Sequence, residues 1–260
     1  MTILLYNIDH GGRTVNDPRG RWSQIINFLN TIAPDIIILL EAWNWDDGDL
    51  REFGEQTGLS YYFLNRSNTQ HHLALLSRVQ PTKIESIREG FHHSVLRARF
   101  ECIGEPPLEL FGLHLNPVDE DSRLLEAREI LGLTADRDAL LVGDFNSLAT
   151  ADEYNETNLL NLLREQGIKK FGTDKLQKKV IEEFLKAGYI DIIKKFHPYG
   201  LEYSVPTAVC TDVNHATRLR LDYALATPAM AALVKNASII RNELTDAASD
   251  HFPLLLDIHF

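Results

Sequence analysis

An α/β layered fold is what this 260-residue chain predicts, and three features predict it. Short continuous apolar runs, the mark of strands covered on both faces, alternate with stretches of helical spacing. Six of these strand candidates end in or carry Asn, Glu, His or Asp, where stability alone would favour another apolar residue. No internal repeat, low-complexity linker or composition break interrupts the alternation, so one domain spanning 1–260 is expected.

Taken in order, Ile3-Leu-Leu-Tyr6 reads as a strand ending in Asn7. Asp17-Pro18-Arg19 then precedes a helix in which Trp22, Ile25, Ile26, Phe28 and Leu29 recur at i, i+3, i+4 spacing. Ala33-Pro34-Asp35 stops that helix, and Ile36 to Leu40 form a strand ending in Glu41. Further strands are expected at Ser60–Leu64, Leu73–Ser77, Val95–Glu101 and Leu108–Leu115, the last alternating towards His114. Ser122–Leu133 reads as a helix opened by Asp121 or Ser122, followed by a strand over 139–143. From Thr157 to Lys195 the pattern is helical. Arg218–Leu225 carries Asp222 in an apolar run, and Asp250 and His251 stand at the mouth of a strand over Leu254–Ile258.

Composition sets the bounds. The chain is 44% hydrophobic and 24% charged, as a globular domain should be. No window approaches the roughly 18 uninterrupted apolar residues of a membrane span. The first residues enter a strand without a basic segment or cleavage site, so no signal peptide is expected and a cytoplasmic location is. Cys102 and Cys210 are too few for a disulfide framework and are expected to be free thiols outside any metal-ligand cluster. The net charge of −11 argues against strong non-specific binding to nucleic acid and favours a small or cation-bridged phosphate ester. The densest basic stretch, Lys169–Lys186, is interleaved with acids and reads as a solvated helix face. No basic amphipathic helix supports membrane docking.

The richest segment is Leu140-Leu-Val-Gly-Asp-Phe-Asn146. Residues two apart on an extended strand face the same way, so Asp144 and Asn146 would converge. Gly143 leaves no side chain in their path. Asp, Asn and Gly are also the commonest turn residues. Recurrence of the pattern at five other strand ends makes a shared polar site the better account.

In that order, Asn7, Glu41, His114, Gly143-Asp-Phe-Asn146, Leu221-Asp-Tyr223 and Ser249-Asp-His251 resemble the endonuclease/exonuclease/phosphatase family, from Tyr6 to Pro253. The resemblance implies a four-layer α/β sandwich of two facing mixed β-sheets flanked by helices. It also implies divalent-metal-dependent hydrolysis of phosphoester bonds, with Mg²⁺ or Mn²⁺ as cofactor. On that basis Glu41 would be the main metal ligand, Asn7 would complete the metal's surroundings through its amide oxygen, and Asp250 would support the metal. Asp144 would orient or deprotonate the attacking water, held also by Asn146. His251 would donate to the non-bridging oxygens, with Asp222 fixing its tautomer. His114 matches a family histidine that contacts phosphate or serves the leaving group, although Leu113 stands where the family has Thr.

The other histidines, including the His71-His72 and His92-His93 doublets, are expected to be ordinary. Adjacent residues on a strand face opposite ways, which disfavours zinc. Trp43 and Trp45 are expected to pack a loop rather than form an aromatic wall, and Arg13 to be solvated. The partner implied is a phosphoester: a small molecule, a lipid head group or nucleic acid. The alternatives left open are an exonuclease or abasic-site endonuclease, and an inactive binding module of the same fold. The module would lack a ligand or base, and none of the matched positions lacks one.

Overall fold

The computed structural model describes residues 1–13, 20–101, 106–215 and 217–259. Asp17-Pro18-Arg19 and Cys102 therefore lie outside the described residues. The strands are β1 (Thr2–Asn7), β2 (Ile36–Trp43), β3 (Tyr61–Asn65), β4 (His71–Ser77), β5 (Lys83–Ile87) and β6 (Val95–Phe100). They continue with β7 (Leu108–His114), β8 (Ala139–Asp144), β9 (Ile190–Asp191), β10 (Asp222–Ala226), β11 (Val234–Ile239) and β12 (Leu254–Ile258). They form two six-stranded mixed sheets, ordered β11-β12-β1-β2-β4-β3 and β5-β6-β7-β8-β10-β9.

Why the apolar runs are continuous follows from the layering. Ile3, Leu5, Ile36, Ile38 and Leu40 face the second sheet, meeting Leu108, Leu110, Leu140 and Val142 in one core. Their neighbours Leu4, Tyr6, Ile37 and Leu39 face outward, against Trp22, Ile25 and Phe28 of the helix Gly20–Ile32 and Phe53 of the helix Asp47–Thr57. Phe111, Leu113 and Leu141 likewise face Ala127 and Ile130 of the helix Glu120–Leu133 and Val180, Ile181 and Phe184 of the helix Lys179–Lys186. Helix, sheet, sheet and helix give four layers. Each buried Leu or Ile contributes about 1.5–3 kcal/mol, so both faces of the central strands must stay apolar up to their ends. No helix among the described residues is long and apolar enough to cross a membrane.

Some boundaries differ from expectation. The helix expected from Ser122 begins at Glu120, because Asp119 caps it by accepting the Ser122 N–H at 2.8 Å. The continuous helical pattern from Thr157 to Lys195 divides into helices Glu156–Glu165, Lys179–Lys186 and Ile192–Phe196. Between the first two, Ile168, Phe171 and Leu176 pack with Leu148 and Val205, so the apolar spacing there serves a packed loop.

Register places the polar ends together. β1 and β2 run parallel with Asn7 opposite Leu40, one residue before Glu41. β7 and β8 run parallel with His114 opposite Asp144, and antiparallel β10 sets Asp222 opposite Asp144. Gly143 sits against Leu113, where an added Cβ would lie 2.1 Å from the Leu113 carbonyl oxygen. That close approach brings His114 and Asp144 side by side.

Candidate active site

A cavity of about 640 Å³ opens where the two sheets present these strand ends, a size that suits a small ligand. Glu41, His114, Asp144, Asn146, Asp250 and His251 line it. Asn7 and Asp222 stand behind that wall, each holding one of its members. The Asn7 amide donates to Glu41 Oε1 at 3.0 Å, and Asp222 Oδ2 meets His251 Nδ1 at 2.6 Å. From Glu41 the line continues through His114 Nε2, 4.0 Å from Glu41 Oε1 and 3.6 Å from Asp144 Oδ2. His251 Nε2 closes it, 4.0 Å from Asp144 Oδ2. All eight residues singled out in the sequence thus belong to one constellation.

The backbone is bent to aim them. Among the described non-glycine residues with positive φ, Asp9 (42°), His10 (50°), Glu41 (58°) and Asn146 (51°) all line the cavity. Such conformations cost roughly 1–3 kcal/mol each and gather where function requires them. At Glu41 the pairing of β2 with β4 slips between Leu39 and Ala42, a bulge that re-aims the carboxylate. Asn146 lies beyond the end of β8, so strand alternation does not bring it to Asp144. A turn does: the Asn146 N–H donates to Asp144 Oδ1 at 2.7 Å, and the Asn146 amide donates to the Leu115 carbonyl at 2.9 Å. Turn and site are here the same object.

Burial sets the electrostatics. It raises the Asp144 carboxyl above its usual range; the His251 imidazole opposes this, Asp222 adds to it and His114 opposes it. Burial alone would raise Glu41 too, but His71, His114 and the Asn7 amide outweigh it and hold the group well below the ordinary carboxylate range. For His251, burial is outweighed by the carboxylates of Asp222, Asp250 and Asp144, and the imidazolium is favoured. Burial lowers the proton affinity of His114 and His93 below that of an ordinary imidazole, with Asp144 and Glu41 opposing this at His114.

Several lining residues escaped the sequence. Asp9 follows Asn7 at the same two-residue spacing as Asn146 follows Asp144, and that spacing would have found it. Asp9, His10 and Glu41 bring donor atoms within 4.8 Å of one another, and Asp9 and His10 are themselves paired. With Asp250 nearby, this oxygen-rich group fits a hard divalent cation. The Asn7 amide oxygen already accepts the Asp9 N–H at 3.1 Å, so it orients Asp9 as well.

The histidines expected to be ordinary are not all so. His10, His71, His92, His93 and His215 line the cavity as well. His93 stacks on His114 with ring centroids 4.3 Å apart, and His71 Nδ1 lies 3.3 Å from Glu41 Oε2. His92 and His93 sit in a bend before β6, where strand alternation does not apply. Lys170, expected on a solvated helix face, is buried in a loop and lines the cavity. Cys210, expected outside any ligand group, lies beside His215 and Asp250.

Trp45 packs as expected, buried against Trp22 and Phe53, whereas Trp43 lines the cavity. Arg13 pairs with Asp49 and lies over the Trp22 ring, outside the cavity lining.

Comparison with known proteins agrees with this architecture. Residues 4–251 match the endonuclease/exonuclease/phosphatase family. Among solved structures, a 3′ phosphatase from Neisseria, bound to product DNA hairpin, superposes with a TM-score of 0.73 at 19% identity, covering 100% of both chains. An AP endonuclease from Archaeoglobus fulgidus does so with a TM-score of 0.71 at 17% identity, again over 100% of both chains. A functionally unknown conserved protein from Enterococcus faecalis gives 0.71 at 16% identity over 99% of each chain. None of the curated proteins matches the chain.

Proposed function

The chain belongs to the endonuclease/exonuclease/phosphatase family, and from that premise we propose that it is a Mg²⁺- or Mn²⁺-dependent hydrolase of phosphoester bonds. The observation that carries this reading is the unbroken polar line Asn7–Glu41–His114–Asp144–His251–Asp222 in a single cavity.

Asp9, Glu41 and Asp250 would hold the cation, with Asn7 orienting the first two. When bound, a divalent ion supplies charge neutralisation at a phosphoryl oxygen. Asp144 takes the proton from the attacking water; its buried, raised carboxyl is a stronger base than an exposed one. Asn146, fixed by its turn, holds that water in line with the phosphorus. His251, kept charged by Asp222, donates to the non-bridging oxygens as negative charge grows there. His114 stands between Glu41 and Asp144, placed to serve the leaving group. Lys170 adds a cation to the same wall.

One observation favours a nucleic-acid terminus among the possible esters. Trp43, His71, His92 and His93 make one side of the cavity aromatic, a surface on which a base can stack. The net charge of −11 weighs against long, non-specific contact with a duplex. The binding-module alternative is disfavoured because no proposed base or ligand is missing.

A substrate panel with Mg²⁺, Mn²⁺ or EDTA tests the reading. It would contain bis-p-nitrophenyl phosphate, p-nitrophenyl phosphate, 3′-phosphorylated and abasic DNA, sphingomyelin and inositol phosphates. Metal-dependent turnover is expected, with a 3′-terminal DNA ester among the best substrates. Turnover confined to lipid or inositol esters would reject the terminal-nucleotide preference. No turnover with any of them in either metal would put the binding module first.

A further inference from the structure

Beside the acidic group that would hold a hard cation lies a second, chemically different group, two of whose three residues the proposed phosphoester hydrolysis leaves unused. Cys210, His215 and Asp250 bring one donor atom each within 4.8 Å of one another. His215 Nδ1 is their common vertex, 3.6 Å from Cys210 Sγ and 3.5 Å from Asp250 Oδ2. His215 and Asp250 are buried and Cys210 half-buried. We propose that these three residues form a second cation site, taking a borderline-soft divalent ion such as Zn²⁺.

The geometry supports that ion in particular. Tetrahedral zinc, with Zn–S of about 2.3 Å, Zn–N of about 2.0–2.1 Å and Zn–O of about 2.0–2.2 Å, separates its sulfur and nitrogen donors by about 3.5 Å and its nitrogen and oxygen donors by about 3.3–3.5 Å. The observed 3.6 and 3.5 Å are close to those edges before any ion draws the ligands in. Behind the imidazole, Asp212 Oδ2 stands 3.7 Å from His215 Nε2, the carboxylate-behind-histidine arrangement that orients metal-bound imidazoles. A thiolate and an imidazole select zinc-like ions, whereas Asp9, Glu41 and Asp250 offer the oxygen donors suited to Mg²⁺ or Mn²⁺. Three protein ligands leave a fourth position open, as in sites that exchange water or substrate.

Asp250 belongs to both groups, so the two sites are adjacent. The His215 ring meets His251 edge-to-face at 5.0 Å, and Thr211, Asp212 and His215 line the cavity. An ion here ties the segment carrying Cys210 and His215 to the approach of β12. It fixes one wall of the cavity and competes for Asp250 with the hard cation.

Cobalt reports the thiolate directly. The full chain, freed of metal by chelation and titrated with Co²⁺, is expected to develop a thiolate-to-cobalt charge-transfer band saturating at one ion per chain. Cys102→Ser should keep the band and Cys210→Ser should lose it, with an unchanged thermal midpoint in the metal-free state. Zn²⁺ should displace the cobalt stoichiometrically, and a large excess of Mg²⁺ should not. His215→Ala should weaken binding at least tenfold. Absence of the band in the wild type, or its survival in Cys210→Ser, would overturn the proposal. Should Cys210→Ser fail to fold, X-ray absorption of the zinc-loaded Cys102→Ser chain decides: one sulfur at about 2.3 Å is expected, and a shell without sulfur contradicts the site.

Discussion

Asp144 is buried, ends a strand, accepts the N–H of the turn that follows it, and faces two imidazoles. A group so placed is either a stabilising element or a base, and one substitution separates the two. Asp144→Asn keeps the volume and the acceptor oxygen for the turn; turnover should fall by about 10²- to 10⁴-fold while the thermal midpoint moves by a few degrees at most. A large stability loss with activity retained would make Asp144 structural. The partner test uses pH. His251 is held charged chiefly because Asp222 outweighs burial, so the wild type should keep its activity into the alkaline range. Asp222→Asn removes the largest of the opposing charges and leaves Asp250 and Asp144, so the imidazole loses its proton at lower pH and the alkaline limb of kcat/KM should move to lower pH. An unmoved limb would show that the charge on His251 is not used.

The elements that shape the site are the irregular ones. Asp9, His10, Gly11 and Gly12 take left-handed conformations in succession, a rare turn for L-residues, and present Asp9 to Glu41. Gly11 permits it twice over: its φ is 73°, and an added Cβ would lie 2.9 Å from the Trp43 carbonyl oxygen. Gly11→Ala should therefore cost about 1–3 kcal/mol and weaken cation binding together, which chemical denaturation and a Mg²⁺ titration would read. Two residues before Asp222, Arg220 is fully buried between Asp152 and Asp191, donating to them at 3.0, 2.9 and 2.6 Å. Arg220→Met would leave Asp191 without its ion pair and Asp152 with Lys194 alone, and should destabilise by about 3–5 kcal/mol in the same assay. The regular strands were legible because both their faces are covered, which makes their sequences uninterrupted apolar runs. The edge strands β5 and β11 were not, since Lys83, Glu85, Lys235 and Asn236 break the pattern where solvent covers one face. At Asn146 the sequence left strand and turn open, because both conformations bring alternate residues to one wall.

Across the whole molecule, the eight residues at strand ends could be read because register gathers such ends at one edge of a layered sheet. The rest of the cavity comes from bends and loops far apart in the chain. His92, His93, Lys170 and His215 carry no local pattern that distinguishes them from surface residues; only tertiary packing brings them to the site. Packing also explains how a chain with a net charge of −11 gathers Lys170 and several imidazoles in one cavity: local groups, not the sum, set the potential. The central claim is that Glu41 holds a divalent cation required for phosphoester hydrolysis. Its most direct test is the Mg²⁺ dependence of bis-p-nitrophenyl phosphate hydrolysis by the wild type and by Glu41→Gln. Turnover that vanishes in EDTA, returns with Mg²⁺, and in Glu41→Gln needs at least tenfold more Mg²⁺ is the predicted result. An identical metal titration in both proteins, or turnover indifferent to EDTA, would contradict it.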